Sequence, residues 1–229
     1  MKKYLFLILI GFALTSCISH KFIYTPPKEV KKVESNIILN EPKKVVWNKL
    51  IKGVGANFFV INNLDKESGF MNISYSGTPE DYIDAGQLHF YFSNARGPRD
   101  YIFPASKSQA QYETWLNGTL CIINRKLDLD GRININVNEI DSLQTMVSVN
   151  VKYIITMNST GEDISGKTLM PYSEIISFNT GGNATSSGGT IFYPNGKLEK
   201  CILDMVRPIE LIQKDSTNFI KNKPAGRVN

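Results

Sequence analysis

The sequence predicts an α+β fold: one antiparallel sheet with an early and a late helix packed on the same face. Two stretches carry apolar residues at helical spacing. Val46, Trp47, Leu50, Ile51 and Val54 form the first, and Leu198, Cys201, Ile202, Met205 and Val206 the second. Between them lie short alternating or apolar segments separated by turn residues, the pattern of antiparallel strands. Each helix has a single apolar stripe, so each must bury it against a sheet face.

In chain order, Asn36-Ile37-Ile38-Leu39 reads as a short strand. Asn40 is placed to cap the first helix, with Glu41 and Pro42 in its first turn, and Gly53 and Gly55 end it. Phe58-Phe59-Val60-Ile61 reads as a strand. A polar turn through Asp65-Lys66-Glu67-Ser68-Gly69 leads into 70–75, where Met71, Ile73 and Tyr75 share one face. Residues 76–79 break the chain, and 82–92 form another strand. Residues 93–112, with Gly97-Pro98-Arg99 and Pro104, read as an exposed polar loop. Strands follow at 119–127, 132–137 and 145–156, the first two joined by a hairpin at Asp130-Gly131. Residues 174–178 are strand-like, 180–189 form a Gly/Ser/Asn-rich loop, and 190–193 are short and apolar. The last helix stops before Pro208.

The N-terminus has a different character. Met1-Lys2-Lys3 precedes a run of apolar residues through Ala13, too short to span a bilayer, which takes about 20 residues. It ends in Leu14-Thr15-Ser16-Cys17, which resembles the bacterial lipobox: an aliphatic residue and two small residues before an obligatory cysteine. The resemblance implies a lipoprotein cleaved before Cys17, with a diacylglyceryl thioether on that sulfur. Each buried methylene is worth about 0.8 kcal/mol, so two or more chains make a lasting anchor. Ile18, rather than an aspartate, favours the outer membrane, facing the periplasm, in a diderm organism. The layout is then a signal peptide at 1–16, a lipidated N-terminus and Pro/Lys tether at 17–34, a single domain at 35–214 and a polar tail at 215–229.

The formal charge of +5 includes Lys2 and Lys3, so the domain itself is mildly basic. Lys28, Lys31, Lys32, Lys43 and Lys44 either lie against anionic headgroups or belong to a solvated tether. No basic–aromatic motif supports nucleic-acid binding. With Cys17 lipidated, Cys121 and Cys201 remain. A bridge between them would close a loop of about 80 residues, worth roughly 4–5 kcal/mol in the chain-entropy model; the alternative is two separate buried thiols.

The run from Ile37 to Tyr75, with Asn40-Glu41-Pro42, the early Trp47, Phe58-Phe59-Val60 and the Asp65–Gly69 turn, resembles the helix-grip domain of small, BamC-like envelope lipoproteins. Gly196-Lys197-Leu198-Glu199 at the start of the last helix is similar to that type as well. The resemblance implies a helix-grip fold, an envelope location and a scaffold or partner-binding role.

Chemistry-bearing patterns are sparse. His20 and His89 are the two histidines, and neither joins a cluster with zinc spacing. His89 lacks the Gly-x-Ser-x-Gly elbow of a hydrolase. Asp128-Leu129-Asp130-Gly131 fits a turn better than a calcium loop. No cofactor or metal site is expected. Tyr101, Phe103, Tyr112 and Trp115 lie in the segment read as a loop, where aromatics either present a partner surface or fold back over the sheet. The reading that follows is a non-enzymatic, membrane-anchored lipoprotein that binds an envelope protein through 93–115 or a sheet edge. A binding protein for an apolar ligand is the alternative, and a hydrolase the least supported.

Overall fold

The computed structural model describes residues 19–29, 32–116 and 118–208. It overturns the α+β helix-grip expectation: 58% of the described residues are strand and 13% helix, with several antiparallel sheets. Cys17 and the polar tail at 215–229 lie outside the described residues.

The axis of the fold is a two-stranded ribbon. β9 (Thr119–Asp141) and β10 (Gln144–Asp163) pair antiparallel along their whole length. Shorter strands flank it to make a seven-stranded sheet. β8 (Gln109–Leu116) lines the first part of β9, and β4 (Phe70–Gly77), followed by β3 (Val60–Asp65), lines the second. β2 (Asn36–Leu39) and β11 (Tyr172–Asn179) pair with opposite ends of β10.

The hairpin expected at Asp130-Gly131 does not form, because β9 passes straight through it. From Cys121 to Val137 the odd-numbered side chains are buried, without a slip in register. A two-residue turn at 130–131 would set Leu129 opposite Arg132 on one face, mixing core with solvent. Gly131 is instead a buried strand residue under the last helix: a Cβ there would lie 3.1 Å from Leu198 Cδ2. The chain reverses at Ser142-Leu143, where the Asp141 carboxylate accepts the Leu143 N–H at 2.8 Å.

Two helices occupy one half of this sheet. α1 (Lys43–Gly55) buries Val46, Trp47, Leu50 and Val54. It runs through Gly53, and its N-cap is Pro42 rather than Asn40. The Asn40 side chain accepts from Gln144 instead, at 3.1 Å. α2 (Pro79–Tyr82) is a single turn, and α3 (Lys197–Asp204) buries Leu198, Glu199, Ile202 and Leu203. Glu199 is fully buried, and it accepts hydrogen bonds from Tyr153 and Thr180, each at 2.7 Å.

A second, three-stranded sheet covers the other half, in the order β1 (Ser19–Thr25), β6 (Gln87–Asn94), β7 (Gly97–Pro104). Two expectations fail here. The tether begins as a paired strand, because β1 matches β6 residue for residue from Ser19↔Ser93 to Thr25↔Gln87. The loop expected at 93–112 is mostly the two strands β7 and β8. Pro98 and Pro104 suggest a loop, but β7 is an edge strand, where a missing N–H costs little. The small strands β5 (Ile83–Asp84), β12 (Ala184–Thr185) and β13 (Ile191–Pro194) close the side of the molecule, and the Tyr24 hydroxyl accepts the Ile191 N–H at 3.0 Å.

Candidate functional site

The two sheets are held together by stacked rings. Inward-facing Phe90 on β6 lies 4.0 Å, centroid to centroid, from Tyr112 on β8, 4.9 Å from Phe22 and 6.0 Å from Phe103. Arg125 is buried behind them, its guanidinium 5.3 Å from the Phe103 ring centre. Trp115 stacks on His20 and Phe92, each at 6.1 Å. Of the four aromatics expected to face a partner, Phe103 is buried, and Tyr101, Tyr112 and Trp115 are half-buried. They fold back between the sheets.

The sheets do not close completely. Where β9 begins and β10 ends, a groove of about 850 Å³ opens between the ring cluster and the segment leading from β10 to β11. Phe22, Phe90 and Tyr112 form one wall, Cys121 and Ile123 the floor, and Leu169 and Met170 the other wall. The volume falls within the range of about 300–1,000 Å³ usual for small-molecule sites, and the lining is mostly apolar, as such sites are. Phe92, Leu120, Cys121 and Ile123 are buried here but stand apart from the main core cluster, which extends from α1 to Phe103. This end therefore has its own apolar lining.

The rim is mixed but carries several exposed apolar side chains: Met170 is 92% exposed and Phe22 53%, Leu116 is exposed as well, and the exposed Lys167 stands among them. The 163–167 turn is shaped by Asp163, whose carboxylate accepts from Ser165 and from the Lys167 N–H. Those bonds, the Ser165 side chain's first, hold its carboxyl below the usual range. Below the rim, burial and then the Asp163 carboxylate push the Cys121 thiol up.

The bridge considered between Cys121 and Cys201 is not formed; both thiols are free. Cys201 is on α3, which lies over Gly131, ten positions along extended β9 from Cys121. That distance is about 33 Å, and a disulfide needs Cα atoms within about 7 Å.

The other chemical candidates do not converge. His89 faces away from the core on β6 and pairs with Asp100; among the described residues no hydroxyl joins them. Asp128 and Asp130 point outward from β9, one paired with Lys126 and the other accepting from Ser76. No trio of His, Cys, Asp or Glu among the described residues could hold a metal ion, and no described helix is long and apolar enough to cross a membrane.

The groove is the feature that sequence reading missed. The signals were there: alternating aromatics in His20-Lys21-Phe22-Ile23-Tyr24, and the hairpin dipeptide Asn117-Gly118, which makes partners of the strands on either side of it. The described residues thus form a β-rich fold of antiparallel sheets with an apolar groove between the long ribbon and the β1–β6–β7 sheet. No protein-family model matches this chain, and no curated protein or solved structure proves similar to it.

Proposed function

We propose that this protein is a membrane-anchored envelope lipoprotein whose β-rich domain binds an apolar ligand without catalysing a reaction. The groove carries this reading. Its predominantly apolar walls, with the charged Asp163 and Lys167 confined to the turn on one side and exposed apolar side chains at the opening, suit a hydrocarbon chain carrying a polar head better than a wholly polar substrate. The anchor reading rests on Leu14-Thr15-Ser16-Cys17. In a diderm organism Ile18, where an aspartate would retain the anchor in the inner membrane, favours the outer membrane, facing the periplasm.

Two measurements test it. Cells fed an alkyne-bearing fatty acid should label the wild-type protein and not Cys17→Ser; a wild type that stays unlabelled removes the anchor. Dansyl-undecanoic acid should bind the purified protein, and Leu169→Asp should weaken it tenfold or more by charging the groove wall. An unchanged affinity in that variant removes the groove.

A second reading, an envelope protein as partner, is favoured by the β3 edge. β3 is unpaired on one side and exposes Val60, Ile61 and Leu64, and Phe58 just before it is 98% exposed. Such an edge can accept a strand from another chain. Crosslinking in native membranes should then give one defined adduct, lost in Val60→Lys.

A further inference from the structure

We infer that the mouth of the groove is a bilayer-docking surface, resting on the membrane so that a phospholipid acyl chain enters the groove directly from the leaflet. This rests on the lipid-anchor reading above and adds the orientation of the domain and the source of the ligand.

The decisive observation is how near Cys17 a paired strand lies. β1 begins at Ser19 and is paired with β6 from its first residue. One residue, Ile18, separates Cys17 from Ser19, and two peptide units reach about 7 Å at most. An acylated Cys17 therefore holds Ser19 within about 7 Å of the lipidated residue and so close to the headgroups. Within β1, the His20 ring stacks on Trp115 and Phe22 lines the groove. The end of the molecule forced toward the bilayer is thus the end at which the groove opens.

The surface at that end matches an interface. Phe22, Leu116 and Met170 line the groove and are exposed, as is Ile164 next in the chain to the lining Asp163; the exposed Lys167 stands on the same edge, where a cation can meet headgroup phosphates, and the half-buried indole of Trp115 adjoins Leu116. An amphipathic ring flanked by apolar side chains is the composition that settles at the headgroup level. Single exposed apolar residues need no explanation, but a rim of them around an apolar groove does. α1 and α3 lie on the other half of the ribbon and would face away from the membrane.

The test uses the acylated, full-length mature protein reconstituted into phosphatidylethanolamine/phosphatidylglycerol vesicles. Part of the phospholipid carries a diazirine near the acyl terminus. Irradiation and peptide mass spectrometry should place crosslinks on the peptides containing Phe22, Trp115–Leu116, Ile164 and Met170, and on the groove floor at Cys121–Ile123. Phe22→Asp and Met170→Asp should each lower that yield several-fold, whereas Phe58→Asp, at an exposed site near the end of α1, should leave it unchanged. Crosslinks spread over α1, or none at the rim, overturn the proposal. So does a rim-dependent dimer in detergent, which would make the occupant a second copy of the chain. A protein that binds dansyl-undecanoic acid but shows no rim crosslink overturns the docking alone and leaves the groove reading intact.

Discussion

The Tyr153 hydroxyl donates a 2.7 Å hydrogen bond to the Glu199 carboxylate, and both side chains are fully buried. The pair joins β10 to α3 across the core. Thr180 supplies a second donor to the same carboxylate at 2.7 Å, so the buried acid is held from two elements. Removing one partner leaves part of a buried charge unsatisfied, which costs about 1–3 kcal/mol. Tyr153→Phe should therefore lower stability by that amount in urea unfolding, with an unchanged denaturant slope.

The same residue makes stability depend on alkaline pH. Burial, then the neighbouring Glu199 carboxylate, raise the Tyr153 hydroxyl far above its ordinary value. In the unfolded chain it ionises near about pH 10. Above that pH the folded state holds a proton that the unfolded state has lost. Stability is then full below about pH 10 and falls as pH rises further, by up to about 1.4 kcal/mol per pH unit for this one group. The wild type should lose stability above pH 10 more steeply than Tyr153→Phe, as read from urea midpoints across the range.

Gly86 is where β1 and the turn before β6 cross. Its φ is +72°, and a Cβ there would lie 2.1 Å from the Thr25 carbonyl oxygen. A side chain would strain the backbone by about 1–2 kcal/mol and also push β1 away. Gly86→Ala should loosen the N-terminal strand first. Limited proteolysis should cut between β1 and β2 at a protease concentration that leaves the wild type intact.

The Phe90–Tyr112 stack ties the upper sheet to the lower one. A double-mutant cycle with Phe90→Leu and Tyr112→Leu should give a coupling of about 0.5–1.5 kcal/mol, the usual worth of an aromatic pair beyond its buried area. A coupling near zero would mean that the rings share a site without supporting each other.

Cys121 reports on the groove. Its raised thiol pKa and near-complete burial make it a poor nucleophile at neutral pH. It should react with a disulfide reagent far more slowly than a free peptide thiol, and a bound fatty acid should slow it further. Cys201, also raised by burial and then by Asp204, lies away from the groove and should show no such protection.

How much of this was legible in the chain depends on the element. Period-two alternation marks a strand reliably where it is long, and β9 is its clearest case: Leu127, Leu129, Ile133, Ile135 and Val137 all fall on one face. Asp130-Gly131 has the chemistry of a hairpin turn, yet the alternation runs through it unbroken. Unbroken phase across a dipeptide argues against a turn, since a turn re-sets which face is buried. The prolines of β7 misled in the same way: Pro98 and Pro104 exclude a central strand, not an edge.

By itself the sequence determined the lipobox-like start, the two helical stripes and the buried face of the clearly alternating strands such as β4 and β9, because these depend on residues near one another in the chain. The tertiary structure alone decided which strands meet. β1 pairs with β6, almost seventy positions away, and β8 sends Tyr112 under Phe90. No local pattern encodes such pairings, because each is chosen by the burial of both partners at once. The groove is a product of that choice. It exists because the small sheet covers only part of the long ribbon, and a gap between distant elements has no spacing of its own in the sequence.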